Sequence, residues 1–133
     1  MKKKLVIGDE VERDEALPLH LKYRPKTFKE FFGNESVVEA ISTILSREKG
    51  EVRSFLLTGP SGCGKTTIGR IIGSKLNCSV KDFKEYNVAN TRGIDTIREI
   101  NENCRFAPWD GDVKIYLMDE AAKLTVDAQN ALL

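Results

Sequence analysis

No excess of charge of either sign marks this sequence: 21 Lys and Arg stand against 20 Asp and Glu, a formal net charge of +1. That balance argues neither for nor against nucleic acid, and any basic surface has to be local. No apolar run approaches the roughly 20 residues of a membrane span. Cysteine is scarce. Cys63, Cys78 and Cys104 form an odd set, and none is spaced as a metal or redox pair. A reducing cytoplasm fits that usage, with Cys78 and Cys104 read as small buried groups. The opening MKKKLVIGDEVERDEA holds only Leu5, Val6 and Ile7 between its lysines and its acids. That is too short for a signal peptide, so residues 1–18 read as a charged, mobile tail. There is no repeat and no low-complexity block, and the apolar fraction is ordinary for a globular chain.

What is present alternates in type. LHLKYRPKTFKEFFGNE is irregular, with Pro25, Gly33 and the phenylalanines 28, 31 and 32. Asn34 is a good N-cap for the helix that follows, in which Val37, Val38, Ile41, Ile44 and Leu45 share a face and Gly50 supplies the stop. Ser54–Thr58 reads as a short, fully apolar strand. Ile68, Ile71, Ile72 and Leu76 then mark a helical face. Phe83–Asn90 is a second strand. The next helix turns Ile94, Ile97 and Ile100 inward and places Asp95 at its positive end. Pro108 and Gly111 make a turn, VKIYLMDE is a third strand, and Thr125 caps a last helix. Strands alternating with helices predict an α/β fold with a parallel sheet and helices on both faces.

Between the first strand and its helix lies GPSGCGKTT: Gly59, Pro60, Ser61, Gly62, Cys63, Gly64, Lys65, Thr66 and Thr67. It matches the phosphate-binding loop (Walker A) in the context that motif requires. The glycines let successive amides point into one concavity, and the helix adds its positive end. Lys65 brings a mobile charge to the β- and γ-phosphates, and the Thr66 hydroxyl suits Mg²⁺. About 50 residues further on, VKIYLMDE delivers Asp119 and Glu120 to the carboxyl end of a strand, the edge where open α/β sheets bind ligands (Walker B). Asp119 would orient the metal shell and Glu120 polarise the attacking water, two acids dividing the work of hydrolysis. Cys63 sits where amides and Lys65 favour a thiolate. The competing reading is a small side chain in a tolerant loop position.

Around these motifs, LKYRPKTFKEFFGNE, the RGID segment and DEAAKLTVDAQNALL together resemble the sliding-clamp loader ATPases of the AAA+ family: the bacterial DNA polymerase III gamma/tau subunit and the replication factor C small subunits. The resemblance covers Leu19 to Leu133, and it implies an amino-terminal part of an AAA+ P-loop NTPase domain, a three-layer sandwich. It further implies an ATPase that uses ATP and Mg²⁺ to open a ring clamp and load it on primed DNA. Tyr23, Arg24, Pro25, Val37 and Val38 then take the adenine side. Arg92 and Arg98 take the DNA backbone, against a plainer reading as a solvated helix face paired with Asp95, Glu99 or Glu102. Lys114 and Lys123 read as ordinary surface lysines. Other loader subunits in a pentameric ring, the clamp and primer–template DNA are the implied partners. The implied place is the cytoplasm, at the nucleoid and replisome, with no membrane.

Two departures qualify the resemblance. The four-cysteine zinc module of gamma/tau has no counterpart in LNCSVKDFKEY, so no zinc is expected. The family's sheet order is 5-1-4-3-2, and the chain stops before its fourth strand, which leaves SFLLT without its inner neighbour. The expectation is a fragment, with the lid and collar domains absent and little or no ATPase activity of its own. Two alternatives stay open: another AAA+ motor, for Holliday-junction branch migration or protein remodelling, and a non-catalytic scaffold subunit of the same assembly.

Overall fold

In the computed structural model, which describes residues 18–47, 52–89 and 93–132, local pattern and tertiary partner together decide each element. The described residues fall into two units that divide between Asn77 and Cys78.

In the amino-terminal unit, Pro18 opens α1 (Leu19–Lys22), its carbonyl accepting from Leu21 and Lys22 N–H at 2.9 and 3.0 Å. A 3-10 turn spans Phe28–Glu30, followed by α2 (Glu35–Ser46) and α3 (Lys65–Lys75). Ile41, Ile68 and Ile72 make a core on which Phe28, Phe31, Leu45, Phe55, Leu57 and Leu76 pack. The spacing thus predicts the core side of each helix through Ile41, Leu45, Ile68, Ile72 and Leu76, whereas Val37, expected on the same face, is exposed. Gly50, read as the stop of α2, lies outside the described residues.

The apolar run SFLLT corrects the sequence reading. Burial alternates along it: Phe55 and Leu57 turn to the core while Leu56 is 83% exposed. A strand needs a ladder partner, and among the described residues no strand pairs with this one. The segment therefore buries one side only. Asn34 is a second correction. It precedes α2, and its carbonyl accepts from Val37 and Val38 N–H at 2.9 and 3.0 Å, but its side chain makes no cap bond. Its backbone is left-handed (φ 53°, ψ 39°), whereas side-chain capping asks for an extended N-cap.

The carboxyl-terminal unit is built on β1 (Phe83–Asn87), α4 (Ile94–Asn103), β2 (Ile115–Asp119) and α5 (Val126–Ala131), with a 3-10 turn at Ala121–Lys123. β1 and β2 pair in parallel, Phe83 opposite Ile115 through Asn87 opposite Asp119. This α/β, parallel arrangement is the expected class, and it makes the second and third predicted strands neighbours. β1 ends at Asn87, whose side chain accepts from Ala89 N–H at 3.1 Å in an Asx turn; Asn90, the expected end of the strand, lies outside the described residues. Val88, Ile97, Ile100, Leu124 and Ala128 form the core, against the strand face carrying Tyr86, Tyr116 and Met118. Thr125 caps α5 as expected, its hydroxyl accepting from Ala128 N–H at 3.3 Å. Among the described residues no helix is long and apolar enough to cross a membrane.

Cys78 is buried, as read, and burial with the nearby Asp82 charge pushes its thiol up to about 11. Cys104 is exposed instead of buried. It caps the carboxyl end of α4, beyond the last inward-facing isoleucine.

Asp82 escaped the sequence reading altogether. Its carboxylate accepts from Ser79 Oγ at 2.5 Å and from the amides of Trp109, Asp110 and Gly111 at 2.8, 3.2 and 3.3 Å. It thereby fixes the turn that leads into β2. Burial alone would raise its pKa, but these donors outweigh burial and lower it to about 2. A carboxyl held below its unfolded value stabilises the fold above that value and loses the contribution as pH falls through the folded one. Asp82→Asn should therefore cost about 2 kcal/mol at neutral pH. The gap between wild type and variant in urea midpoints should close between about pH 4 and pH 2. A constant gap across that range would assign the loss to packing instead.

Candidate functional site

The glycine stretch lies in the amino-terminal unit, folded against the helix it precedes. Gly64, the residue before α3, has φ +90°. A Cβ there would stand 2.6 and 2.7 Å from the Phe31 ring, so glycine is required twice over, by backbone and by space. The helical ladder opens with Ile68 N–H donating to Gly64 O at 2.9 Å. The positive end of the α3 dipole therefore lies at Lys65–Thr67.

Lys65 is turned into its own loop. Its Nζ donates to Gly59 O at 3.0 Å and Pro60 O at 2.6 Å, and lies 3.8 Å from Cys63 Sγ. The ammonium is thus held at the loop by charge-assisted bonds that an incoming anion can replace. A Cβ on Gly59 would come within 3.1 Å of the same Cys63 sulfur.

The residues expected on the adenine side share this unit. Tyr23 ends α1 and is 66% exposed, with Lys22 Nζ 6.0 Å from its ring centroid. Arg24, Pro25 and Val38 are half-buried, and Val37 is exposed on the first turn of α2. Two contacts that the sequence reading missed tie this segment to the loop: Phe31 beneath Gly64, and Asn34 Nδ2 donating to Cys63 O at 3.5 Å. The cluster of phenylalanines beside Gly33 was the available signal for the first.

The two acids belong to the carboxyl-terminal unit. Asp119 is the last residue of β2, half-buried, and its carbonyl accepts from Val88 N–H at 3.2 Å. Glu120 takes a left-handed backbone (φ 57°, ψ 36°). For a glutamate this costs on the order of 1–3 kcal/mol, a strain characteristic of functional positions. It ends the strand and brings Glu120 Oε2 to 2.5 Å from Lys123 Nζ. Lys123 is therefore the ion-pair partner of the candidate base, a correction to its reading as an ordinary surface lysine. Both side chains are largely exposed, so the pair is weak and exchangeable. Lys114 is likewise engaged, donating to Asn103 O at 2.9 Å at the carboxyl end of α4.

Arg98 stands on the exposed face of α4, 3.7 Å from Asp95, and Arg92 lies outside the described residues. For a metal, Thr66 and Asp119 each offer a hard oxygen donor of the kind Mg²⁺ takes. Among the described residues no group of three or more His, Cys, Asp or Glu could hold a metal.

Comparison with known proteins adds names to this geometry. The family described as the Holliday junction DNA helicase RuvB P-loop domain matches residues 23–103. DNA polymerase III subunit gamma of Buchnera aphidicola (subsp. Schizaphis graminum) is 35% identical, the alignment taking in 84% of this chain and 36% of that protein. Replication factor C subunit 4 of Encephalitozoon cuniculi is also 35% identical, over 84% of this chain and 36% of its own length. DNA polymerase III subunit tau of Bacillus subtilis is 29% identical, over 86% and 24% respectively. The chain thus spans between 24% and 36% of the length of these relatives.

Proposed function

The chain belongs to the family described as the Holliday junction DNA helicase RuvB P-loop domain, and from that premise we propose that it is the ATP-binding, ATP-hydrolysing part of a DNA sliding-clamp loader subunit. The observation that carries the nucleotide reading is the phosphate loop itself, with Gly64 seated on Phe31 and the Lys65 ammonium drawn onto loop carbonyls. The choice of machine is supported by relatives named as DNA polymerase III gamma and tau and as replication factor C.

In this reading Lys65 leaves Gly59 O and Pro60 O for the β- and γ-phosphates, and the loop amides hold the remaining phosphate oxygens. Tyr23, Arg24, Pro25, Val37 and Val38 receive the adenine. Thr66 and Asp119 would hold Mg²⁺, which would supply neutralisation of phosphate charge. Glu120 takes a proton from the water that attacks the γ-phosphorus; the bond to the β-bridging oxygen breaks, and ADP and phosphate leave. For this Glu120 has to give up Lys123. Arg92 and Arg98 contact DNA backbone, a sequence-independent and salt-sensitive grip suited to recognising a junction. The protein acts in the cytoplasm at the replisome, in a ring with other loader subunits.

The second reading, a Holliday-junction motor, is favoured by the family's description; YRPKTF and TVDAQNALL speak against it. Turnover by the intact protein separates the two. Clamp loading requires stimulation by a ring clamp together with primed DNA. Stimulation by four-way junction DNA, with indifference to the clamp, would replace this proposal by the other.

A further inference from the structure

We infer that Asn34 and Phe31 are positioning residues for the phosphate loop, acting on its shape from outside without touching the ligand. The inference rests on the nucleotide-binding reading above and adds residues to which that reading assigns no role.

Three observations converge. Asn34 occupies a left-handed backbone and spends no side-chain bond on capping α2. Its Nδ2 instead reaches across 29 residues of sequence to donate to Cys63 O at 3.5 Å. At the next residue, the Phe31 ring lies so close to Gly64 that a Cβ would stand 2.6 Å from it. The Cys63–Gly64 peptide is therefore gripped twice, by its carbonyl and at the following α-carbon.

The consequence follows from peptide geometry. The described backbone has no cis peptide bond, so the Cys63 C=O and the Gly64 N–H point in opposite directions. Holding the carbonyl toward Asn34 holds the amide away from it. A flip of this peptide turns ψ of Cys63 and φ of Gly64, and the glycine, at φ +90°, crosses between wells at little cost. A flip of this one peptide would present a carbonyl oxygen to a phosphate in place of an amide. Asn34 supplies the bond that resists the flip, and Phe31 supplies the floor that keeps Gly64 in place. Asparagine suits the position because it is among the few side chains that accept a left-handed backbone.

The test compares Mg·ATP with Mg·tripolyphosphate, which has the phosphates and no base, by calorimetry on the intact protein. Asn34→Gly keeps the backbone conformation and removes only the amide donor. Asn34→Asp keeps the shape but places an acceptor against the Cys63 carbonyl. Both variants should weaken both ligands by the same factor, about 3- to 10-fold for one lost hydrogen bond. They should also speed alkylation of Cys63 in the nucleotide-free protein, a readout independent of any ligand. Wild-type affinity for both ligands in both variants, with unchanged Cys63 reactivity, overturns the inference. So does a loss confined to ATP, which would put Asn34 on the base. A wild-type protein that binds neither ligand overturns the nucleotide reading itself, a separate result.

Discussion

Lys65→Ala is expected to lower the affinity of the intact protein for Mg·ATP by roughly 30- to 700-fold, with almost no change in folding stability. Losing a charged donor from a phosphate site costs about 2–4 kcal/mol, which sets that range. The near-silence in stability follows from what the ammonium touches without nucleotide: the carbonyls of Gly59 and Pro60, both exposed residues. Water can take over those acceptors, so the variant should unfold within about 0.5 kcal/mol of wild type. Lys65→Arg should rescue binding poorly, because a planar fork cannot stand in for a compact ammonium with three rotatable donors. Titration calorimetry beside urea unfolding reads both quantities. An isotherm unchanged by the substitution would remove Lys65 from the phosphate site and the nucleotide reading with it.

Glu120→Gln should separate binding from chemistry in the opposite sense. The amide keeps the size of the carboxylate but cannot take the proton of the attacking water, so turnover should fall about 10²- to 10⁴-fold. Affinity for Mg·ATP should stay within about threefold, since Glu120 touches phosphate in neither state of the proposed cycle. The cost to stability should be small as well, because the Lys123 partnership that is lost lies at the surface. Single-turnover hydrolysis alongside nucleotide binding gives both numbers. Retained turnover would move the water-activating role to another residue, and lost binding would mean that the acid holds the metal.

Much of this fold is legible in the sequence where the signal is local. Ile94, Ile97 and Ile100 on α4, Ile68 and Ile72 on α3, and the Thr125 cap of α5 report their own surroundings through spacing or through a bond three residues away. The phosphate loop is legible for the same reason, since its glycines answer a backbone demand made within the loop. What the sequence hid depends on distant partners. SFLLT has the composition of a strand, but composition says nothing about whether a neighbour lies beside it. Asn34 has the residue type of an N-cap, and a carbonyl 29 positions away claims its side chain instead. Asp82 looks like one acid among many until amides 27 to 29 residues later converge on it. Lys123 is only three residues from Glu120, but their meeting requires the left-handed turn at Glu120, which residue type does not announce.

The Asp82 network has an optical consequence. Trp109 is the single tryptophan of the sequence; its amide is pinned by Asp82 at 2.8 Å while its indole is 79% exposed under Lys81. All indole emission from this chain therefore originates at one anchored turn at the entrance to β2. The molecule carries its own fluorophore, sited to register strain in the turn ahead of the strand that bears Asp119.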